Sequence, residues 1–571
     1  MRHLPVVLLL PALWLSFVPG CDSGMQAIDR RTLALLDSGS TSINASVKPD
    51  WPIRDIPDGD AGPNFGPDPA LPATRNPDAR EIAFQSRADD PESLSRRLTD
   101  LDDPATAITL DLRGAIAYAI ANGREYQDAA ESYVIASLQL LIERHLWGPR
   151  FFDEVRATAT ADGDAGLYDA ALSVVNDFTV RQRLPYGGEV SASLLARATE
   201  DLNRRVSDNS VQSAEFLVQG DIPLLRGAGL SAREDRIQAE RNLIYAAREF
   251  ERFRRFYVFE ISREYLDLVV QKQAIDNAQR QLISFEQAEA RERALFEAGR
   301  QAGFQAALAV QDTLFSRDRL AAQKETYRLA VDRFKIRIGM PAEENLAIEY
   351  GDPALPTPRA SIDEAVVIGL QFRLDLQNQR DQFDDTRRRL DVARNQLLPD
   401  LSVFGSASVP TDPDRDRAGL RFSGEDTDFV GGVAFDLPLD REIERARLRQ
   451  AQIALEQAGR TFSEARDRIA VEIRSAVRQI DRALFSIRLQ EENVRIAALR
   501  EASIDAAPDR ASPRDRSDAI DARLRAEDGL AEAKRDLQVA VLGYLLSTDQ
   551  LRVDSKGQII PLEGMTIGSR S

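Results

Sequence analysis

The chain has 571 residues, room for several average domains, yet 29% of them are charged, only 7% are aromatic, and there are two histidines and one cysteine. Its 92 acidic against 74 basic side chains leave a net charge of −18, which repels a polyanion and argues against nucleic-acid binding. The single Cys21 excludes an internal disulfide framework, a zinc-thiolate cluster and a Cys-x-x-Cys redox pair. With His3 in a leader-like segment, only His145, beside Trp147, remains for histidine chemistry, which nearly closes the usual hydrolase and metalloenzyme classes.

Met1-Arg2-His3 is a short positive start, and Leu4 to Val18 is an apolar run of signal-peptide length, too short for a comfortable membrane span. It ends in Val18-Pro19-Gly20-Cys21, which resembles a bacterial lipobox with Pro19 as an unusual occupant. Residues 1–20 are therefore expected to be a lipoprotein signal peptide and Cys21 the lipidation site; an ordinary signal peptide with an incidental cysteine is the alternative. Acyl chains contribute about 0.8 kcal/mol per buried methylene, so a multiply acylated Cys21 tethers a chain firmly. Asp22 resembles an inner-membrane retention signal of enteric lipoproteins and leaves membrane sorting open. Residues 21–105 read as a loose tether, since residues 49–77 alone hold eight prolines interleaved with Gly and Asp.

The rest contains a duplication. At an offset of 250, Ile120, Glu125, Gln127 and Pro149 meet Leu370, Asp375, Gln377 and Pro399. Asp221-Ile222-Pro223-Leu224 then matches Asp436-Leu437-Pro438-Leu439, and Val310 to Leu314 matches Ile520 to Leu524. Three weak matches in the same order along both halves mean two similar units. Each reads as helix, proline, strands, proline, a very long helix, a break and a helix.

Within the first unit, residues 151–161 alternate with period two, and residues 214–222 do so more cleanly: Ala214, Phe216, Val218, Gly220 and Ile222 oppose Glu215, Leu217, Gln219 and Asp221. In the second, residues 400–409 and 429–437 behave the same way. Strands of about 9–11 residues with one apolar and one polar face suit a transmembrane barrel. Four strands cannot close one, and lipid forbids open edges, so the barrel must be shared between chains.

Helices flank the strands. Ile469, Ile473, Ala476, Ile480, Leu484 and Ile487 follow coiled-coil spacing, and Ala446, Ala451, Ala454 and Ala458 permit close helix approach. Leu224 to Gly299, about 114 Å at ~1.5 Å per residue, matches the combined length of helices expected over 305–339 and 362–398. Leu439 to Ala507 likewise matches 514–547 plus 109–147. Each long helix thus pairs with two shorter ones end to end, as in a tall tube wall.

Pro399-Asp400-Leu401 after an Ala/Arg/Leu-rich helix, Pro223-Leu224-Leu225-Arg226-Gly227, and Phe296-Glu297-Ala298-Gly299 before a helical return resemble the TolC family of outer-membrane efflux proteins. The resemblance spans about 110–548. It implies an α+β membrane protein: a homotrimer forming a 12-stranded β-barrel in the outer membrane, continued by a long α-helical periplasmic barrel, with two structural repeats per chain (106–340 and 362–548), an equatorial linker (341–361) and a C-terminal tail (549–571). It implies no enzyme and no cofactor, but a passive export duct working with a periplasmic adaptor and an inner-membrane transporter.

Two departures stand out. The first half holds 35 more residues between its prolines than the second. Within the excess, about 175–199, Phe178–Leu184 and Val190–Ala198 alternate around Tyr186-Gly187-Gly188, a hairpin signal. An extended hairpin above the barrel is favoured over extra wall strands. The far turn keeps Gly299 in the first half, whereas the second has Pro508, Ser512 and Pro513.

From the same resemblance, Asp515 and Asp518 are candidate pore-entrance carboxylates. Spacing of three puts both on one helical face, and three chains would gather six; a solvated surface compensated by Arg510, Arg514 and Arg516 is the alternative. Gly299, Gly303, Phe304 and Leu308 are candidate adaptor-docking residues, with simple turn formation as the plainer role. No metal site is expected. The rival to the whole reading is a periplasm-spanning coiled-coil scaffold or adaptor lipoprotein without a pore; an enzyme or solute-binding lipoprotein fails for want of site chemistry.

Overall fold

The computed structural model describes residues 25–43, 107–161, 170–201, 210–350, 355, 358, 361–412, 415, 418–506, 512–554 and 559–560. Cys21 and the proline-rich run 49–77 lie outside them. In chain order the elements are α1 (Met25–Ser42), β1 (Ile108–Leu110), α2 (Leu112–Asn122), α3 (Arg124–Leu146), β2 (Arg150–Ala161), β3 (Ala170–Arg183), β4 (Glu189–Asp201) and β5 (Ser210–Pro223). There follow α4 (Leu230–Glu297), α5 (Gly303–Ile338), β6 (Leu346–Ile348), α6 (Ile362–Phe372), α7 (Leu374–Asn395), β7 (Asp400–Pro410), β8 (Asp428–Asp436), α8 (Glu442–Ala506) and α9 (Pro513–Ser547).

The chain divides into two compact units, one of residues 1–45, 131–249 and 375–466, the other of 46–130, 250–374 and 467–571. Among the described residues, the first unit holds one six-stranded antiparallel sheet in the order β2-β3-β4-β5-β7-β8. Helix segments adjoin it. Tyr245 donates to Asp385 at 2.6 Å, and Arg388 reaches both Asp385 at 2.9 Å and Glu234 at 2.7 Å, joining α4 to α7 through a buried polar cluster. Where α7 leads into β7, Asn395 accepts from the Gly227 amide and donates to the Leu225 carbonyl, so one side chain fixes the β5–α4 connection.

The second unit is helical, with β1 and β6 forming a short parallel pair. Ile469, Ile473, Ala476 and Ile480 of the coiled-coil stripe are buried, together with Val477 and Ala483. Helix ends follow local chemistry. Ser361 and Glu364 form a capping box on α6, and α5 stops at Gly339, whose φ of 80° is the left-handed value that glycine adopts freely. The helices expected over 109–147 and 362–398 are each broken once, at Gly123 and at Arg373, where the backbone turns extended. At Gly339 there is a second constraint: a Cβ would lie 2.1 Å from the Asn122 carbonyl oxygen.

Two expectations are corrected. The tether expected over 21–105 contains a helix, α1, in which Ala27, Leu35 and Leu36 are buried and Tyr133 donates to the Leu36 carbonyl at 3.0 Å. The cause is legible afterwards: the prolines begin only at Pro49, and Ile28, Thr32, Leu35, Leu36 and Gly39 recur at helical spacing. The second correction concerns the hairpin near 175–199, expected to stand above the sheet. A freestanding hairpin would leave β2 and β5 paired with each other. Instead β2 pairs with β3 over twelve residues and β4 pairs with β5, so the hairpin is part of the sheet. Its turn at Leu184–Gly188 lies against the end of β5: Gly229 donates to the Tyr186 carbonyl at 2.6 Å, and a Cβ on Gly188 would meet the Asp221 carbonyl oxygen at 1.9 Å.

Candidate functional site: a two-faced sheet and a helical tip

Directly paired residues of antiparallel strands share a face, so the register divides the sheet into two surfaces. Phe151, Val180, Ala192, Val218, Ala407 and Phe429 form one cross-strand row. The row one residue along runs Arg150, Arg181, Ser191, Gln219, Ser406, Val430. The first face continues apolar through Val174, Leu194, Phe216, Val403 and Val433, and the second is mostly polar, with Arg156, Asp177, Ser193, Glu215 and Ser402 set among Phe152, Leu195, Leu217 and Phe404. Asp153 and Asn176 interrupt the apolar face, and they satisfy each other by a 2.7 Å hydrogen bond.

The apolar face is open: Phe429 is 79% and Val433 66% exposed. The polar face is the hollow one, with a cavity of about 410 Å3 lined by Glu189, Ser191, Gln219, Asp221, Phe404 and Ser406. The strands run 9 to 14 residues, enough to cross a bilayer's hydrocarbon at a tilt. No helix among the described residues is long and apolar enough to cross a membrane.

The first part of α8 leaves apolar side chains outside as well. Ala446, Ala454, Ile443 and Ile453 are exposed in a single chain, and Leu439 just before the helix is almost wholly so. Of the alanine stripe read from the sequence, Ala446 and Ala454 are thus uncovered within one chain, whereas Ala451 and Ala458 are half-buried.

The turn between α4 and α5 carries the tip candidates. Gly299 takes a φ of 66° and closes the helix by donating to the Phe296 carbonyl at 2.9 Å. Gly303 begins α5 under the Phe296 ring, where a Cβ would sit 3.2 Å from the ring edge. Phe304 is 73% exposed and Leu308 is half-buried. At the start of α9, Asp515 is the third helical residue and closes a capping box: Ser512 donates its hydroxyl to Asp515 at 2.7 Å and its amide at 3.0 Å. Those bonds hold the Asp515 carboxyl below its ordinary value. Asp518 is exposed one turn on.

The sequence did not single out the polar seam between α4 and α9. Buried Arg516 meets Glu292 at 3.5 Å, Gln281 donates to Asp521 at 2.5 Å, and Asn277 donates to Asp528 at 2.6 Å. Ser517 adds a 2.5 Å bond to Asp312 of α5. Burial raises the carboxyl pKa of both Asp521 and Asp528. These partners lie some 200 residues apart, so no local spacing reveals them. Among the described residues no group of three or more His, Cys, Asp or Glu side chains is arranged to hold a metal.

Comparison with known proteins adds the fold. No protein-family model matches the chain, and no curated protein matches it in sequence. Among solved structures, the outer membrane protein VceC of Vibrio cholerae aligns with a TM-score of 0.58 at 14% identity, covering 76% of this chain and 95% of its own. The MtrE outer membrane channel of Neisseria gonorrhoeae aligns at 0.56 and 14% identity, over 78% of this chain and 90% of its own. CusC, described in terms of transmembrane channel formation, aligns at 0.58 and 13% identity, over 79% and 95%. The fold is that of TolC-type outer-membrane channels. The TolC fold thus extends over most of the chain, as the sequence resemblance had it.

Proposed function

We propose that the protein is the outer-membrane channel of a tripartite efflux pump or type I secretion line, a passive homotrimeric duct. The observation that carries this is the register-defined division of the sheet into an open apolar face and a hollow polar one, which water-soluble scaffolds have no use for. The TolC fold supports it, as does the apolar surface that α8 leaves uncovered, which suits packing against a second copy. Acylated Cys21 anchors the chain to the outer membrane, and the helices form the periplasmic stem. The two halves act as structural repeats: their helix breaks at Gly123 and Arg373 fall 250 residues apart, the offset seen in the sequence.

An adaptor docks on the α4–α5 tip through Phe304 and Leu308, with Gly299 and Gly303 giving it close approach. Asp515 and Asp518 stand at the entrance; of the two, Asp518 is free of the helix cap and presents charge to the pore. Transport energy comes from the inner-membrane transporter. Purified full-length protein in planar bilayers is expected to form ion-conducting pores, with block by multivalent cations weakened by D518A. A folded protein that never conducts would overturn the channel reading in favour of the pore-less scaffold.

A further inference from the structure

Among the described residues of a single chain the sheet ends in two open edges, one along β2 and one along β8. Both strands carry the membrane-facing alternation, with Phe151 and Val155 on one and Phe429, Val433 and Phe435 on the other. Unpaired backbone groups in lipid each cost several kcal/mol, so the edges need partners. The six strands alternate in direction throughout, so β2 and β8 are antiparallel. Copies placed head to tail would continue that alternation without a break, as a ring requires.

Resting on the trimeric channel reading above, we infer that the β2 edge of each chain pairs with the β8 edge of the next, and that the wall closes with eighteen strands. The hairpin β3–β4 makes the difference. Phe178 and Leu194 of the hairpin pair with each other, and Leu194 in turn pairs with Phe216 of β5 on the apolar face. The hairpin is wall by both register and chemistry.

The stagger fits closure. The row that starts at Arg150 meets β8 at Val430, six residues before its end at Asp436. With both strand ends at the helix-side rim, six residues are about 20 Å along the strand, against about 29 Å across six strands. That tilts the strands by about 35°, within the range of closed barrels. The ring is then about 34 Å across between backbone walls, one and a half times the width of one with four strands per chain. At the rim this register sets Arg150 opposite Asp436. Within its own chain Arg150 reaches Glu189 at 3.9 Å, while its Nε has no hydrogen-bond partner among the described residues, so the pairing brings a second carboxylate to that guanidinium.

The full-length protein in lipid nanodiscs, imaged by electron cryomicroscopy, is expected to show three copies and an unbroken eighteen-strand wall. In the double variant F151C/F435C, a short bis-maleimide should produce covalent dimers and trimers that neither single variant gives. A conducting trimer with a twelve-strand wall and β3–β4 folded aside would overturn this inference and leave the channel reading intact. A ring of two six-stranded sheets would overturn it as well. A particle without any barrel would instead overturn the channel reading on which the inference rests.

Discussion

The sheet of the first unit and the helices of the second treat side chains in opposite ways. In the sheet, Phe429 and Val433 stand exposed while Glu189, Ser191, Gln219, Asp221 and Ser406 line the hollow face. In the helical unit, Arg254 is fully buried, bonded twice to Glu251 and to the carbonyls of Val553 and Asp554. An exposed phenylalanine and a buried arginine are both costly in water, and each is stable here for a separate reason. In the proposed channel the first would meet lipid in place of water; the second has its donors matched to fixed acceptors. Which residues are out of place therefore depends on the medium around each region.

Five variants would break or sharpen this contrast. The largest effect is expected from R254A, which takes from buried Glu251 one of its two arginine partners, leaving Arg255 at 2.9 Å, and removes the bonds to the Val553 and Asp554 carbonyls; it should cost about 3 kcal/mol in detergent unfolding. The double change E251Q/R254M should recover part of that. Next, V174R and V433R each put a charge on the apolar face and should cost about 2–4 kcal/mol near mid-membrane, while S406R on the polar face should cost much less. A silent V174R would remove the hairpin from lipid and break the comparison at its most informative point.

Smaller effects belong to the α9 region. Removing the Ser512 hydroxyl by S512A should cost about 1 kcal/mol, read as faster hydrogen exchange in the first turn of α9. The Asp515 half of the cap has a lowered pKa, so its contribution is present above the ordinary carboxylate value and is lost as pH falls through the lowered one. Asp528 has the opposite sign. Its raised pKa means that its contribution is complete below the ordinary value and declines as pH rises through the raised one. In D528N the α9 seam should lose that part of its pH dependence, as followed by exchange between pH 4 and 7; an unchanged profile would remove Asp528 as its source.

The alternation in residues 214–222 and 429–437 disclosed strands with two faces, because side-chain direction repeats every second residue whatever the partner strand. Partner choice is not encoded that way. Phe178 and Val190 alternate equally well in a freestanding hairpin and in a wall, and only pairing with β2 and β5 distinguishes the two. The cap at Asp515 is readable, since Ser512-Pro513-Arg514-Asp515 has the spacing of a capping box, whereas charge alone does not separate a capping carboxylate from a pore-facing one. The helix α1 was hidden by its neighbours: eight prolines downstream coloured a segment that contains none. The Arg516–Glu292 pair had no local signature at all.

The turn at Leu184–Gly188 points to how such a wall could change in evolution. Because the added strands came as a pair, the chain enters and leaves the sheet at the same end, and the adjoining helices keep their directions. In the proposed barrel one extra strand would deliver the chain to the wrong side of the bilayer. Girth in such a barrel would therefore be quantised, altering by two staves per subunit, while whatever lies beneath need not be rebuilt.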